Sequence, residues 1–188
     1  MTPRLLVAGV GNIFLADDAF GPEVIRALGP RPLPPEVRVH DYGIRGMDLA
    51  YDLLDGYDTA VLVDTARRGH RPGTLSLIEA GPPDGSVVPE AHGMDPAKVL
   101  ALAAHLGEEP LPRVLVLACE PELLPSGDED LLPGLSTPVR EAVARAVDAL
   151  HTLIPALLAD PGASAPPLGR PVESGTACPA GLPGTAGR

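Results

Sequence analysis

The chain has 188 residues, a length typical of one domain, and it carries a net charge of −11. Lys98 is its only lysine, and the acidic balance argues against the clustered cations that nucleic-acid binding needs. Two cysteines are too few for a disulfide framework or a thiolate metal cage. No apolar run approaches the roughly 18 residues of a membrane span, so we expect neither nucleic acid nor membrane as a partner.

The first half of the chain alternates apolar runs with helical patterns. Its predicted elements are, in order, strand 4–9, helix 22–28, strand 37–41, helix 46–54 and strand 59–64. Pro22 is predicted at the first position of its helix, where the missing N–H costs nothing. The N-terminal residues Met1 to Arg4 lead directly into the first strand, which does not look like a signal peptide. We therefore expect a cytoplasmic protein.

The second half continues the alternation and ends in a segment rich in proline and glycine. Its predicted elements are strand 75–78, helix 95–106, strand 113–118 and a last helix that starts at 136–138 and runs to about 154. Asp95 is placed to cap the third helix. Because the C-terminal segment has no apolar periodicity, we predict a domain over 1–158 and a disordered tail over 159–188.

Strands that alternate with helices predict a three-layer α/β/α sandwich around a mostly parallel five-stranded sheet. Ligands of such sheets lie beyond the carboxyl ends of the strands. The residues at or after the predicted strand ends that could contact a ligand are Asn12, Asp17, Asp18, Asp41, Gly43, Asp64, His92, Cys119 and Glu120. We therefore expect the carboxylates of Asp17, Asp18, Asp41 and Asp64 to meet at one edge of the sheet, close to His92.

Carboxylate and imidazole groups without thiolates suit a borderline divalent ion such as zinc or nickel. A nucleotide-binding module is a weaker interpretation, because the turn after the first strand lacks the third glycine of a dinucleotide fingerprint and carries two aspartates. Cys119 is interpreted as a small core residue rather than a nucleophile. By residue type alone, Asp18, Asp64 and His92 could equally be solvated or turn-capping side chains.

Several segments, in order along the chain, resemble the nickel–iron hydrogenase maturation endopeptidases. Residues 9–21, GVGNIFLADDAFG, resemble the family's signature after the first strand, roughly G-x-G-N-x-L-x-x-D-[DE]-x-x-G. The further matching blocks are DYGIRG at 41–46, LVD at 62–64, PGT at 72–74, HG at 92–93, EP at 120–121 and GLS at 134–136. The similarity covers about residues 4–155 and leaves the tail unexplained.

This resemblance implies an endopeptidase that removes the C-terminal extension of a nickel–iron hydrogenase large-subunit precursor after nickel insertion. Asp18, Asp64 and His92 would be catalytic and would contact the metal, with nickel supplied by the precursor rather than held tightly by the peptidase. Asp41 would act as a general base or would position the cleaved segment. The nickel would polarise the peptide carbonyl or activate a water, and the alternative is an aspartyl-type reaction driven by a carboxylate.

Asn12, Gly43 and Arg45 are the implied substrate-binding residues. The loop after the second strand departs from the family, because it reads YGIR where many members read G-G-T-x. We interpret this as altered substrate choice, with Arg45 contacting a carboxylate of the extension. Asp18 stands where the family often has glutamate, so the geometry of the site would change slightly. A monomer is expected, and the alternative function is a non-cleaving, nickel-dependent checkpoint or chaperone for the same precursor.

Overall fold

The computed structural model describes residues 4–81, 95–107, 110–125, 131–163 and 168. The strands are β1 (Leu5–Val10), β2 (Val37–Gly43), β3 (Thr59–Thr65), β4 (Leu75–Glu79) and β5 (Arg113–Cys119). The α-helices are α1 (Phe20–Leu28), α2 (Gly46–Asp52), α3 (Pro96–Leu106) and α4 (Thr137–Ala159). A short 3₁₀ turn, Ala16–Ala19, precedes α1.

The five strands form one sheet in the order β2-β1-β3-β5-β4. All neighbours are parallel except β4, which is antiparallel to β5 at one edge. Side chains alternate between the two faces of a strand, so Leu5 and Val7 pack with α1 and α4, whereas Leu6 and Ala8 pack with α2 and α3. The predicted three-layer sandwich with a mostly parallel sheet is confirmed.

The order of the strands places a crevice between the carboxyl ends of β1 and β3. The chain leaves β1 toward β2 on one side and enters the rest of the sheet through β3 on the other, which is the usual position of a ligand site in this architecture. Gly21 lets α1 approach this point closely. A Cβ atom there would lie 2.2 Å from the Val10 carbonyl oxygen and 2.3 Å from that of Val63. The glycine therefore brings the 3₁₀ turn next to the end of β3.

Two predicted boundaries are corrected by the structure. Helix α1 begins at Phe20, so Pro22 is its third residue and not its first. A proline is tolerated there because the N–H groups of the first turn have no partner within the helix. Strand β2 continues to Gly43 through a bulge, since Gly9 pairs with Asp41 but Val10 pairs with Gly43.

Helix α4 is the one described helix long and apolar enough, by length and composition, to cross a membrane. It is a core helix of the sandwich, since its inner face is buried against the sheet at Val139, Leu150 and Leu153. The helix continues through Pro155 as far as Ala159.

The chain beyond α4 is held at the amino end of β5. Arg113, the first residue of that strand, donates to the carbonyl oxygens of Pro161 at 2.7 Å and Ala163 at 2.8 Å. Leu168 packs against the core beside α4. Most of the predicted tail over 159–188 lies outside the described residues.

Candidate active site

An acidic cleft of about 420 Å³ opens at the carboxyl ends of β1 and β3. Asp18 and Asp64 both line it, so the structure brings together two of the three predicted metal-contacting residues. The remaining lining residues are Val10, Gly11, Thr65, Ala66, Asp95, Pro96, Val116 and Leu124. His92, the third predicted contact, lies outside the described residues.

Asp18 is held against the end of β1 by its own loop. The Asn12 N–H donates to Asp18 Oδ2 at 2.7 Å, and a side-chain hydrogen bond joins Thr65 to the same carboxylate. Gly11 has a φ of +132°, and a Cβ atom there would lie 1.8 Å from the Asp18 carbonyl oxygen. Only glycine permits this approach, so Gly11 serves the geometry of Asp18 itself.

The cleft disfavours negative charge on its carboxylates. Burial raises the pKa of Asp64 to about 8, although the Thr65 N–H lowers it, and the nearby charges of Asp18 and Asp95 raise it further. Burial also raises the pKa of Asp18, against the hydrogen bonds from Asn12 and Thr65. A cation between the two side chains would relieve this cost, so the cleft is electrostatically suited to a metal ion.

The two carboxylates do not form a complete metal site within the described residues. No three His, Cys, Asp or Glu side chains in the described part of the chain are arranged to hold an ion. Further ligands would have to come from residues such as His92 or from a bound partner.

Asp95 is a cleft residue that the sequence did not identify. Its predicted capping role is confirmed, since it is the N-cap of α3 and its Oδ1 accepts from the Ala97 N–H at 2.9 Å. It also lines the acidic cleft, where its charge acts on Asp64. The available signal was its position three residues after His92.

The expectation that Asp17 faces the same edge as Asp18 is wrong. Asp17 is fully buried and does not line the cleft. Its Oδ2 accepts from the N–H groups of Glu122 at 2.9 Å and Leu123 at 2.8 Å, and its Oδ1 accepts from the Ser136 N–H at 2.7 Å. Asp17 therefore joins the 3₁₀ turn to the loop after β5.

A second pocket, of about 340 Å³, adjoins the acidic cleft and shares Gly11 with it. It is lined by Asn12, Asp41, Gly43 and Arg45 together with Ile13, Phe14, Tyr42 and Ile44. The predicted substrate-binding residues thus lie together, with Asp41, in a pocket separate from Asp18 and Asp64. Ile13, Phe14 and Ile44 are at least half exposed, which gives this pocket an apolar rim.

Arg45 is engaged within its own loop. Its guanidinium donates to the carbonyl oxygens of Tyr42 and Asp41 and lies 3.6 Å from the carboxylate of Asp48. Asp41 accepts from the Gly43 N–H at 2.9 Å through one carboxylate oxygen. The loop is therefore held in shape from inside, with Arg45 still half exposed at the pocket.

Cys119 is the last residue of β5 and Glu120 follows it, and neither lines the acidic cleft. Cys119 is fully buried, and its burial raises the pKa of the thiol to about 12, which makes it the core residue that was expected. Glu120 is buried too, but its carboxylate accepts from the N–H groups of Arg68 at 2.8 Å and Gly69 at 3.3 Å. Both are structural groups.

Comparison with known proteins agrees with the α/β/α architecture of the chain. The family model of hydrogenase maturation protease, HycI, matches residues 22–153. The chain is 31% identical to the hydrogenase expression/formation protein HupD of Rhizobium leguminosarum bv. viciae over 175 residues, which cover 88% of this chain and 84% of that protein.

Solved structures show the same similarity. The hydrogenase maturating endopeptidase HybD from E. coli aligns with a TM-score of 0.65 and 29% identity, covering 85% of this chain and 94% of that one. A hydrogenase 2 maturation peptidase from Thaumarchaeota archaeon SCGC_AB-539-E09 aligns with a TM-score of 0.58 and 31% identity over 80% of this chain and 97% of that one. The chain belongs to the hydrogenase maturation protease family. It is a peptidase that processes a hydrogenase precursor.

Proposed function

We propose that the protein is an endopeptidase that removes the C-terminal extension of a nickel–iron hydrogenase large-subunit precursor after nickel insertion. The observation that carries this proposal is the pairing of Asp18 and Asp64 in one cleft that disfavours their charge. A carboxylate pair of this kind is ready to bind a cation but is too small a ligand set to keep one.

In this proposal the nickel ion is part of the substrate and arrives with the precursor. Asp18, Asp64 and His92 are the peptidase side chains that contact it, and the ligands supplied by the precursor complete its coordination. Nickel at this point acts as a Lewis acid on the peptide group or on an attacking water. Cleavage therefore requires nickel, because a nickel-free precursor leaves the carboxylates of Asp18 and Asp64 without a positive charge beside them.

The second pocket receives the chain on one side of the cleaved bond. It shares Gly11 with the acidic cleft, so a peptide whose carbonyl lies beside Asp64 would place a neighbouring side chain against Ile13, Phe14 and Ile44. Asp41 lies in that pocket, where it would position the cleaved segment or act as a general base. We propose that Asn12, Gly43 and Arg45 form the rest of this substrate contact.

The test is cleavage of purified precursor, with and without nickel, followed by mass spectrometry. We expect the nickel-loaded precursor to lose its C-terminal extension and the nickel-free precursor to remain intact. His92→Ala and Asp64→Asn should each slow cleavage by about 10²- to 10⁴-fold. His105→Ala, which alters an exposed histidine of α3 away from the lining of the cleft, is the matched control and should cleave like the parent.

Cleavage of the nickel-free precursor at the same rate would contradict the nickel requirement. The alternative, a non-cleaving checkpoint or chaperone, predicts a stable complex with the nickel-loaded precursor and no change in its mass. As part of the same proposal, the peptidase is a cytoplasmic monomer, which cell fractionation and analytical ultracentrifugation test.

A further inference from the structure

Asp17 and Asp18 are neighbours in the 3₁₀ turn, yet their carboxylates lie in different surroundings. Asp18 lines the acidic cleft, while Asp17 is fully buried among the backbone groups of a distant segment. We propose that Asp17 is a positioning residue that couples Asp18 to the loop after β5, which forms one wall of the cleft. This inference rests on the proposed function, because it assigns Asp17 a part in presenting the cleft to the precursor.

The bonds of Asp17 join both ends of the loop between β5 and α4. Glu122 and Leu123 at its start donate their N–H groups to the carboxylate, and the Ser136 N–H at its end does the same. The Asp17 N–H in turn donates to the Leu123 carbonyl oxygen at 3.2 Å. Four bonds that converge on one turn fix the loop relative to Asp18.

Ser136 supports this assignment by what its side chain does. It is the N-cap residue of α4, where a serine oxygen normally accepts from an N–H of the first turn, yet it makes no such bond. Its Oγ instead donates to Asp17 Oδ2 at 2.9 Å. Helix α4 therefore lacks a side-chain cap, because the Ser136 hydroxyl binds the Asp17 carboxylate instead.

The backbone before Asp17 is held in an uncommon conformation. Ala16 has a φ of +48°, the only positive φ among the described residues other than glycine. Its N–H donates to the Leu132 carbonyl oxygen at 2.6 Å, and the Leu132 N–H donates to the Phe14 carbonyl oxygen at 3.0 Å. This strained entry gives the 3₁₀ turn a fixed rotation, which directs Asp17 inward and Asp18 toward the cleft.

The same loop carries the wall of the cleft. Leu124 follows the two residues that bind Asp17, and it lines the cleft together with Asp18 and Asp64. The Leu124 carbonyl oxygen accepts from Arg67 Nη2 at 2.6 Å, so the wall is also tied to the segment after β3. Loss of the Asp17 carboxylate would therefore release Asp18 on one side of the cleft and Leu124 on the other.

The primary test is Asp17→Asn, because an asparagine has nearly the same size but must turn an NH₂ group toward one of the N–H donors. We expect kcat for nickel-loaded precursor to fall by about 10- to 100-fold, the range found when groups that orient a metal ligand are lost. The second readout does not depend on activity. The amide of Asn12, which donates to Asp18, should exchange its hydrogen at least about tenfold faster, with no such change in the core strands.

Glu120→Gln is the matched control. It alters another buried carboxylate of the loop after β5 that accepts from backbone N–H groups, but it does not touch the 3₁₀ turn. The exchange of the Asn12 amide relative to that of the core strands should therefore remain as in the parent. Ser136→Ala should reproduce part of the Asp17→Asn effect, and Ser136→Thr, which keeps the hydroxyl, should restore parental behaviour.

A folded Asp17→Asn variant with parental kcat and parental Asn12 exchange would overturn the proposal, and so would lost activity with unchanged Asn12 exchange. If Asp17→Asn fails to fold, the Ser136→Ala and Ser136→Thr pair decides, since equal Asn12 exchange in both contradicts the coupling. A parental chain that does not cleave the precursor refutes the proposed function. The Asn12 exchange still tests the coupling in that case.

Discussion

Strands β3 and β5 are neighbours in the sheet, and a buried carboxylate lies at the carboxyl end of each, Asp64 within β3 and Glu120 directly after β5. Asp64 and Glu120 are both 7% exposed. Burial raises the pKa of Asp64 to about 8, with one backbone N–H to oppose it. Burial acts in the same direction on Glu120, yet the N–H groups of Arg68, His70 and Gly69 together hold its pKa below the usual range.

Two differences separate these carboxylates: Asp64 lies deep in the protein and has one backbone N–H donor, whereas Glu120 lies just below the surface and has three. Glu120 is solvated by the backbone and stabilises the turn that follows β3. Asp64 lacks those donors and faces Asp18 and Asp95 instead. Its ionised form is therefore unfavourable until a cation is present, which is the condition expected of a metal-binding group.

The difference between Asp64 and Glu120 can be tested by substitution, and the largest change in the free energy of unfolding is expected from Asp64→Asn in the metal-free protein. Because the folded state raises the pKa of Asp64 above its ordinary value of 3.8, it keeps a proton that the unfolded chain releases. The contribution of Asp64 to stability should therefore decline as pH rises from about 4 toward 8. Asp64→Asn should remove this decline and raise the free energy of unfolding by roughly 2–3 kcal/mol at pH 8.

Urea unfolding of both proteins across this pH range, with a chelator present, measures the difference. The stabilised variant should at the same time be inactive toward the precursor. An Asp64→Asn protein that is less stable than the parent at pH 8 would show that Asp64 is a structural carboxylate like Glu120.

Glu120→Gln should have the opposite sign. A glutamine offers one acceptor oxygen where Glu120 uses both, so one of its N–H donors would face an NH₂ group. We expect a loss of about 1–2 kcal/mol at pH 7. Because the folded state lowers the pKa of Glu120, this difference should shrink as pH falls below its ordinary value of 4.5.

Thermal melts of Glu120→Gln and the parent between pH 3 and pH 7 measure this effect. A variant as stable as the parent at pH 7 would contradict the assignment of the three N–H groups as the stabilising partners.

The smallest effect is expected from Asp95→Asn, which removes a charge near Asp64 while keeping a good N-cap residue for α3. The pKa of Asp64 should fall by less than about one unit, because the Asp95 charge is the last and weakest of its causes. A carbon-detected NMR titration of the carboxyl group measures the shift. Asp95→Ala should give a similar shift but cost about 1 kcal/mol more, through loss of the cap.

The sequence was sufficient to predict the layers of the fold, because its strands are short continuous apolar runs and its helices carry apolar residues at helical spacing. The end of β2 could not be predicted from the sequence, because the bulge at Tyr42 depends on pairing with β1 and leaves no local sequence pattern. The start of α1 could not be predicted for the same reason. The 3₁₀ turn before it is fixed by bonds to Leu123 and Leu132, which are distant in sequence.

The candidate site was predicted in part. Asp18 follows β1 and Asp64 lies at the carboxyl end of β3, its neighbour, so the rule that ligands lie at strand ends predicted that they are close together. Asp17 follows the same strand, but its direction depends on the rotation of a turn and on donors more than 100 residues away. Asp95 looked like a helix cap, and only the packing of α3 against the sheet shows that it also faces the cleft.

The guanidinium of Arg113 holds the segment that follows α4 at the amino end of β5. The same guanidinium binds Glu79 with two bonds of 2.9 Å and also holds Pro161 and Ala163, all at the edge of the sheet opposite the acidic cleft. An affinity handle or surface anchor inserted after Ala163 would start from the end of the sheet that lies opposite the acidic cleft. The protein could thus be immobilised through that point with its cleft facing outward, ready to capture a large precursor from solution.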